Sequence, residues 1–291
     1  KDFLFDLELK PGAKLPACPQ PAKLGPGKAM LEQHHLRRDL SLGHNFFPDD
    51  DQIGESASRV HTVPKPGEHK LPQDERWGRL VVDYRKICDL TIEEPGVHTD
   101  SDAMTRWVCT TLWRSLCDLV FNHLTVTRRA AQLLQMITSL GLIQPGVLPF
   151  GIHSGPAAMQ RCVNSVFKKL IESGEFQAFL DDCAACSGKA NSLANPCDPA
   201  CARARAAFWE HLDLVARMLG LCEDAGLKFK LVKCLFAQLN IAVLGFLCCQ
   251  GCRTLDPEKA SMDNDIPTKI LIGSNDIVSS HLSVIYNNSK N

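Results

Sequence analysis

Two adjacent carboxylates, Asp181 and Asp182, are the residues of this chain whose types and spacing point most directly to chemistry. Neighbouring aspartates repel, and at the end of a strand they face different ways unless a cation holds at least one of them. Cation binding is therefore the chemistry they would support; against it stands a solvated turn, the commoner state of an isolated Asp-Asp pair. Just beyond them, Cys183-x-x-Cys186 and Cys197-x-x-x-Cys201 have a spacing that permits a four-thiolate zinc site. The Ser, Asn and Gly between the two pairs describe a flexible insertion with incidental thiols equally well. Cys248, Cys249 and Cys252 form a second group, but adjacent cysteines on a strand point to opposite faces, so they read as core.

The elements that must position these residues follow from periodicity. A short apolar run from Phe176 to Leu180 leads straight into Asp181 and Asp182, and a Cys-, Gly-, Ser- and Pro-rich loop is expected from there to about Pro199. Upstream, Ser154 or Gly155 followed by Pro156 marks a helix start. Met159, Val163, Val166, Phe167, Leu170 and Ile171 then share one face until Gly174. Downstream, Phe208, Leu212, Val215 and Leu219 predict a second amphipathic helix ending at Gly226, and Leu227, Phe229 and Leu231 alternate with Lys228, Lys230 and Val232 as a strand with a basic face. From Trp77, the residues Leu80, Val82 and Tyr84 alternate as a strand. Residues 101–145 read as largely helical, from Trp107, Leu112, Leu116 and Leu119 through Leu133, Leu134 and Ile137. Residues 1–76 read as an extended, loop-rich arm with one helical patch around Met30 to Leu40. Strand, helix, strand ending in paired carboxylates, helix, strand pair is an α+β order compatible with a split βαβ sheet packed on helices.

Composition bounds the reading. The 291 residues are 45% hydrophobic and 22% charged, which excludes disorder of the whole chain. A net charge of −1 argues against a generally basic nucleic-acid coat but leaves room for a local basic groove. No apolar run is long enough for a membrane helix, and Pro, Gly and Lys break residues 1–30 where an export signal needs an apolar core. Fourteen irregularly spaced cysteines are accordingly expected as reduced thiols in a cytoplasmic protein, with a virus-like particle or the nucleus as alternatives to the cytoplasm, and not secreted.

Phe179-Leu180-Asp181-Asp182 resembles the aromatic-X-Asp-Asp signature of reverse transcriptases, and other blocks follow in the family's order. Leu9-Lys10-Pro11-Gly12-Ala13 matches its leading segment. Val63-Pro64-Lys65 and Trp77-Gly78-Arg79-Leu80-Val81-Val82-Asp83-Tyr84-Arg85-Lys86 resemble its fingers hairpin. Leu148-Pro149-Phe150-Gly151, Gly155-Pro156-Ala157 and Gln160-Arg161 resemble its proline-phenylalanine-glycine element and the helix after it. His211-Leu212, Ala225-Gly226-Leu227-Lys228, Lys233-Cys234, Phe236-Ala237-Gln238, Leu244-Gly245 and Asp256-Pro257-Glu258-Lys259 continue the pattern of gypsy-type long-terminal-repeat retrotransposons.

The resemblance implies an α+β right-hand polymerase with fingers and a palm built on a split βαβ, ferredoxin-like antiparallel sheet. It implies an N-terminal extended arm over 1–60, the fingers hairpin over 61–95, the palm over 96–245 with a further fingers segment at about 125–150, and the start of a thumb or connection over 246–291. The implied activity is RNA-directed DNA synthesis, in which Asp118, Asp181 and Asp182 hold two Mg2+ or Mn2+ ions. Asp118 is the best match, within Leu116-Cys117-Asp118-Leu119, to the family's upstream aspartate. A helical surface aspartate is its rival reading. Lys65 and Arg79 match the positions that grip the incoming triphosphate, Phe150 and Gly151 lie beside the nucleotide, and His123 stands where the family's sugar-discriminating tyrosine lies. Lys228, Lys230 and Lys233, with the Leu244-Gly245 turn, match the stretch that tracks the primer. Expected partners are an RNA or DNA template with its primer and deoxynucleoside triphosphates; no membrane is expected, and a dimer within a larger Pol polyprotein is left open.

Departures from the pattern fall close to the chemistry. Phe121-Asn122 replaces a serine-glycine, Pro66 replaces a second basic residue, Phe179 replaces the signature tyrosine, and Thr127 to Gly146 reads as helical where the family has a strand. Such scatter suits a diverged or decayed copy. Two alternatives stay beside polymerase activity: a catalytically inactive remnant that still binds nucleic acid, and a Cys-rich zinc-binding structural domain.

Overall fold

The structure, a computed structural model, describes residues 3–65, 68, 78–94, 96, 100–120, 124–189 and 202–256. Pro66, Trp77, His123 and its neighbours Phe121 and Asn122, Cys197, Cys201 and the whole of 257–291 lie outside the described residues.

The N-terminal third is not an arm. It opens with β1 (Leu4–Phe5), α1 (Pro26–Ser41), β2 (Asn45–Phe46), β3 (Ser58–Val63), β4 (Arg79–Val82) and α2 (Arg85–Leu90). Phe5, Leu7 and Leu36 are buried in the main core, so this segment contributes to it despite its Pro- and Gly-rich text. The strand expected around Leu80 is β4. It stops at Val82 because Tyr84, buried and donating its hydroxyl to the Leu134 carbonyl at 2.9 Å, already caps α2.

The stretch expected to be largely helical keeps two short helices and otherwise turns to strand. After α3 (Ser101–Cys109) come β5 (Thr111–Asp118), β6 (Thr125–Val126), α4 (Arg128–Leu133), β7 (Met136–Thr138) and β8 (Gly141–Pro145). β5 is buried on both faces, between one cluster holding Cys117 and another holding Leu116. A strand covered on both sides has no need to alternate, which is why apolar residues recur there at helix-like intervals. β2, β8, β7, β3 and β4 form a five-stranded sheet in that order, so the 136–145 hairpin joins residues from before position 83. β1 pairs with β6.

The last third contains α5 (Gly155–Val166), α6 (Lys168–Glu172), β9 (Phe176–Phe179), β10 (Asp182–Lys189), α7 (Ala202–Ala225), β11 (Leu235–Gln238), β12 (Ile241–Val243), β13 (Phe246–Cys249) and β14 (Cys252–Leu255). The expected helix from 155 to 174 is present but breaks at Phe167, which is fully buried and stacks on Phe176 with ring centroids 4.2 Å apart. Up to Lys189 the loop expected after the carboxylates is instead β10, an inner strand of the central sheet; the rest of that expected loop, 190–199, lies outside the described residues. The small residues of β10 suit a strand packed tightly on both faces. The strand expected over 227–232 is one isolated bridge, Leu119 to Phe229, followed by a 3-10 turn over Leu231–Lys233. The buried stripe of α7 runs through His211, Leu214, Val215, Met218 and Cys222; Leu212 and Leu219 flank it.

The central sheet has the order β11-β5-β10-β9, with every neighbouring pair antiparallel. With α5 between β5 and β9 and α7 between β10 and β11, this is the split βαβ topology with both halves complete. β12, β13 and β14 form a separate antiparallel sheet resting on α3. The boundary expected at 245/246 therefore falls within the β12–β13 hairpin. Among the described residues no helix is long and apolar enough to cross a membrane.

Candidate active site

The site is built where β5, β9 and β10 end together. β9 and β10 are joined by a two-residue turn, Leu180-Asp181, closing the pair Phe179 and Asp182. Leu180 has a φ of 57°, a left-handed conformation unfavourable for a side chain with a Cβ. Gln160 of α5 holds it: its Oε1 accepts the Leu180 N–H at 2.8 Å, and its Nε2 donates to the Ala178 carbonyl at 3.2 Å and to Asn164 at 2.9 Å. A polar residue on the apolar face of α5, Gln160 is 1% exposed. Its position among Met159 and Val163 was the signal available in the sequence.

Asp118 is the last residue of β5 and the direct cross-strand partner of Asp182. The Leu119 N–H donates to the Asp181 carbonyl at 2.7 Å, which locks the end of β5 to the turn. The three carboxylate-bearing residues therefore share one end of the sheet. The helical reading of Asp118 is overturned, since it lies in a strand.

The basic residues nearest the carboxylates come from the segment after α7. Val120 donates to the Lys228 carbonyl at 2.9 Å and Lys230 donates its N–H to the Asp118 carbonyl at 2.8 Å, so this segment runs alongside the end of β5. From there Lys230 Nζ bonds Asp118 Oδ1, and Lys233 Nζ reaches Oδ2 at 2.9 Å. Burial pushes the Asp118 carboxyl up, but the two ammonium groups outweigh it and hold the group below the ordinary carboxylate range. Lys233 is correspondingly raised, chiefly by its bond to Asp118 and secondarily by Asp181 and Asp182. Lys228 is exposed and makes no ion pair among those described. Thus Lys230 and Lys233, expected on a strand face beside the primer, sit on a turn and neutralise the upstream aspartate.

The remaining candidates lie on two other supports. Arg79 of β4 is exposed and pairs in register with Val63, two residues before Lys65. Buried Glu68 ties the two arms together: its Oε2 accepts the Lys65 N–H at 2.8 Å and its Oε1 the Gly78 N–H at 2.6 Å. Gly78 has a φ of 58°, and a Cβ there would stand 2.8 Å from the Val63 carbonyl oxygen, so only glycine fits. Phe150 is 63% exposed, and Gly151 has a φ of 92°, where a Cβ would stand 3.6 Å from the Val82 carbonyl oxygen and 4.0 Å from the Tyr84 ring. Leu244 and Gly245, with φ of 50° and 86°, form the β12–β13 turn.

The described half of the expected zinc site does not converge, and Cys197 and Cys201 lie outside the described residues. Cys183 and Cys186 lie three residues apart on β10, so they face opposite sides of the sheet, Cys183 in the main core and Cys186 in the second cluster. Among the described residues no cluster of His, Cys, Asp and Glu is arranged for a metal. The described cysteines are free thiols.

Comparison with known proteins agrees with this geometry. The family described as "Reverse transcriptase (RNA-dependent DNA polymerase)" matches residues 98–248, more than half of the chain. The Retrovirus-related Pol polyprotein from transposon 297 of Drosophila melanogaster is 25% identical over 195 residues, covering 66% of this chain and 17% of that polyprotein. Among solved structures, the foamy viral protease-reverse transcriptase in complex with RNA/DNA hybrid superposes with a TM-score of 0.68 at 17% identity, over 90% of this chain and 31% of that one. The same viral enzyme in complex with dsDNA gives 0.68 at 17% identity, over 99% and 53%. The chain thus spans well under two thirds of each of these relatives. Its central sheet, its order of elements and its family match agree: the chain belongs to the reverse transcriptase (RNA-dependent DNA polymerase) family.

Proposed function

We propose that this chain is the fingers-and-palm portion of a gypsy-type retrotransposon reverse transcriptase, and that it extends a primer with deoxynucleotides along an RNA or DNA template. The observation that carries the reading is the direct pairing of Asp118 with Asp182 beside the Leu180-Asp181 turn, which brings three carboxylate-bearing residues to one sheet end; with lysines on both oxygens of Asp118, their side chains are not drawn together as a metal-binding group as found. Oxygen donors of this kind suit Mg2+ or Mn2+, and Asp118 is held in its ionised form. Two such ions, when bound, would activate the primer hydroxyl and stabilise the leaving pyrophosphate. The chain's own residues bind and orient: Lys65 and Arg79 take the triphosphate as a point charge and a planar fork, Phe150 and Gly151 flank the nucleotide, and Lys228 and the Leu244-Gly245 turn meet the primer. The division into fingers, palm and thumb, and the larger Pol polyprotein around them, belong to the same proposal.

A second reading has an observation of its own. Both oxygens of Asp118 are already held by lysines, which favours a remnant that binds nucleic acid without incorporating nucleotides. Primer extension on an RNA template with Mg2+ or Mn2+, using Asp181→Asn as the control, separates the two. Incorporation that the substitution abolishes supports the polymerase. Salt-dependent template binding with no incorporation in the unsubstituted protein overturns it in favour of the remnant.

A further inference from the structure

The sheet on α3 holds a pair of thiols that the polymerase reading does not use. Cys249 ends β13 and Cys252 begins β14; they are direct cross-strand partners, separated only by Gln250 and Gly251. Directly opposed residues in an antiparallel pair have Cα atoms about 4.5–5.5 Å apart, inside the range a disulfide spans. Their sulfur atoms are already 3.3 Å apart. The turn is fixed from outside: Gly251 takes a φ of 75°, its N–H donates to the Cys109 carbonyl at 2.9 Å, and Cys109 Sγ donates to the Cys252 carbonyl at 3.1 Å. Both members are partly exposed, whereas the neighbouring Cys109 and Cys248 are buried. Pre-positioned sulfurs, a compatible backbone and access from solvent favour thiol–disulfide exchange, while burial and the bond to Cys252 push the Cys249 thiol up to about 12 and slow its own attack.

We propose that Cys249 and Cys252 form a dithiol–disulfide site, closed by exchange with a low-molecular-weight disulfide such as oxidised glutathione. One cysteine, as its thiolate, attacks a sulfur of the small disulfide; a mixed disulfide forms and one small thiolate leaves. The second cysteine gives its proton to solvent and attacks the protein sulfur of that mixed bond, releasing the second small thiolate. The two protein thiols lose two electrons, which the small disulfide gains, so the balance closes with no further reactant. A reduced small thiol runs the sequence backwards.

The test uses the full chain, reduced, desalted and then incubated with oxidised glutathione under native conditions. Iodoacetamide labelling and peptide sequencing by mass spectrometry are expected to find two fewer free thiols and an internal Cys249–Cys252 bond. Cys252→Ser is expected to stop at a persistent glutathione adduct on Cys249, while Cys109→Ser still closes the ring. An adduct that persists on the unsubstituted protein, a bond formed instead between Cys109 and Cys248, or no loss of free thiols at all would overturn the proposal. The unsubstituted protein alone decides between these results, so the inference does not depend on either variant folding.

Discussion

At the scale of single residues, the site turns on how Asp118 shares its charge. Its carboxylate is about one-seventh exposed, at 15%, and carries two lysines, of which Lys233 is 60% exposed and Lys230 37%. Exposed ion pairs of this kind contribute about 0.2–1 kcal/mol each. A divalent cation taken by Asp118 must displace or repel these ammonium groups, so removing one should tighten it. Lys233→Met is accordingly expected to lower the Mn2+ dissociation constant roughly two- to fivefold, read by electron paramagnetic resonance of free Mn2+. A weakened or unchanged affinity would show that Lys233 does not compete. The identity of Asp118 was legible only through the Leu116-Cys117-Asp118-Leu119 resemblance, because nothing local separates a strand-end aspartate from a helical one. Its lysine partners were not legible at all: Lys230 and Lys233 lie more than a hundred residues downstream in sequence, and no periodicity links them to Asp118.

At the scale of elements, two helices are tied to the central sheet through buried polar bonds, α5 at its carboxylate end and α7 further along β5 and β10. On α5, Gln160→Ala would leave the Leu180 N–H and the Ala178 carbonyl without that partner, in a turn already in a left-handed conformation. A cost of about 1–3 kcal/mol is expected in urea denaturation, with primer extension falling further than stability alone explains. On α7, His211 is fully buried, its Nε2 2.8 Å from Ser115 Oγ and its Nδ1 2.9 Å from Ser187 Oγ. Ser115 Oγ also accepts the Ala237 N–H at 3.0 Å at the bulge between β11 and β5, and the neutral imidazole donates from one ring nitrogen and accepts at the other. Burial lowers His211 to about 4 from an ordinary 6.5. The unfolded chain therefore binds this proton first, and stability should decline as pH falls from about 6.5 to about 4, by up to about 3 kcal/mol, then level off. His211→Gln is expected to flatten that part of the pH profile while lowering stability near neutrality. The helices themselves were legible from their apolar spacing. The stripe on α7 was misplaced because its most buried polar member, His211, does not register as apolar, and β5 was missed because burial on both faces erases alternation.

At the scale of the whole molecule, the order of motifs was readable while the pairing of strands was not. Each block quoted for the resemblance stands in sequence, but β5 gains its neighbours from β10 and β11, far along the chain, and the five-stranded sheet joins β3 to β7 across more than seventy residues. Local text carries no register for such contacts; only the burial they produce is visible, and that imperfectly. The same long-range pairing also sets the charge available to a template. With a net charge of −1, binding must come from a local surface. Two of the three downstream lysines are spent on Asp118, which leaves Lys228 and, with no nucleotide bound, the triphosphate-binding Lys65 and Arg79 as the exposed cations of the proposed groove. About three phosphate contacts imply a slope near −3 in a plot of log binding constant against log salt concentration on duplex. Fluorescence anisotropy of a labelled RNA/DNA hybrid measures it directly. Lys228→Ala is expected to reduce the slope by about one, whereas Lys233→Ala should leave it nearly unchanged, because that charge is already compensated within the protein. A loss of slope from Lys233→Ala equal to that from Lys228→Ala would mean that the lysine leaves Asp118 when nucleic acid arrives, and with it the main observation favouring an inactive remnant would fall.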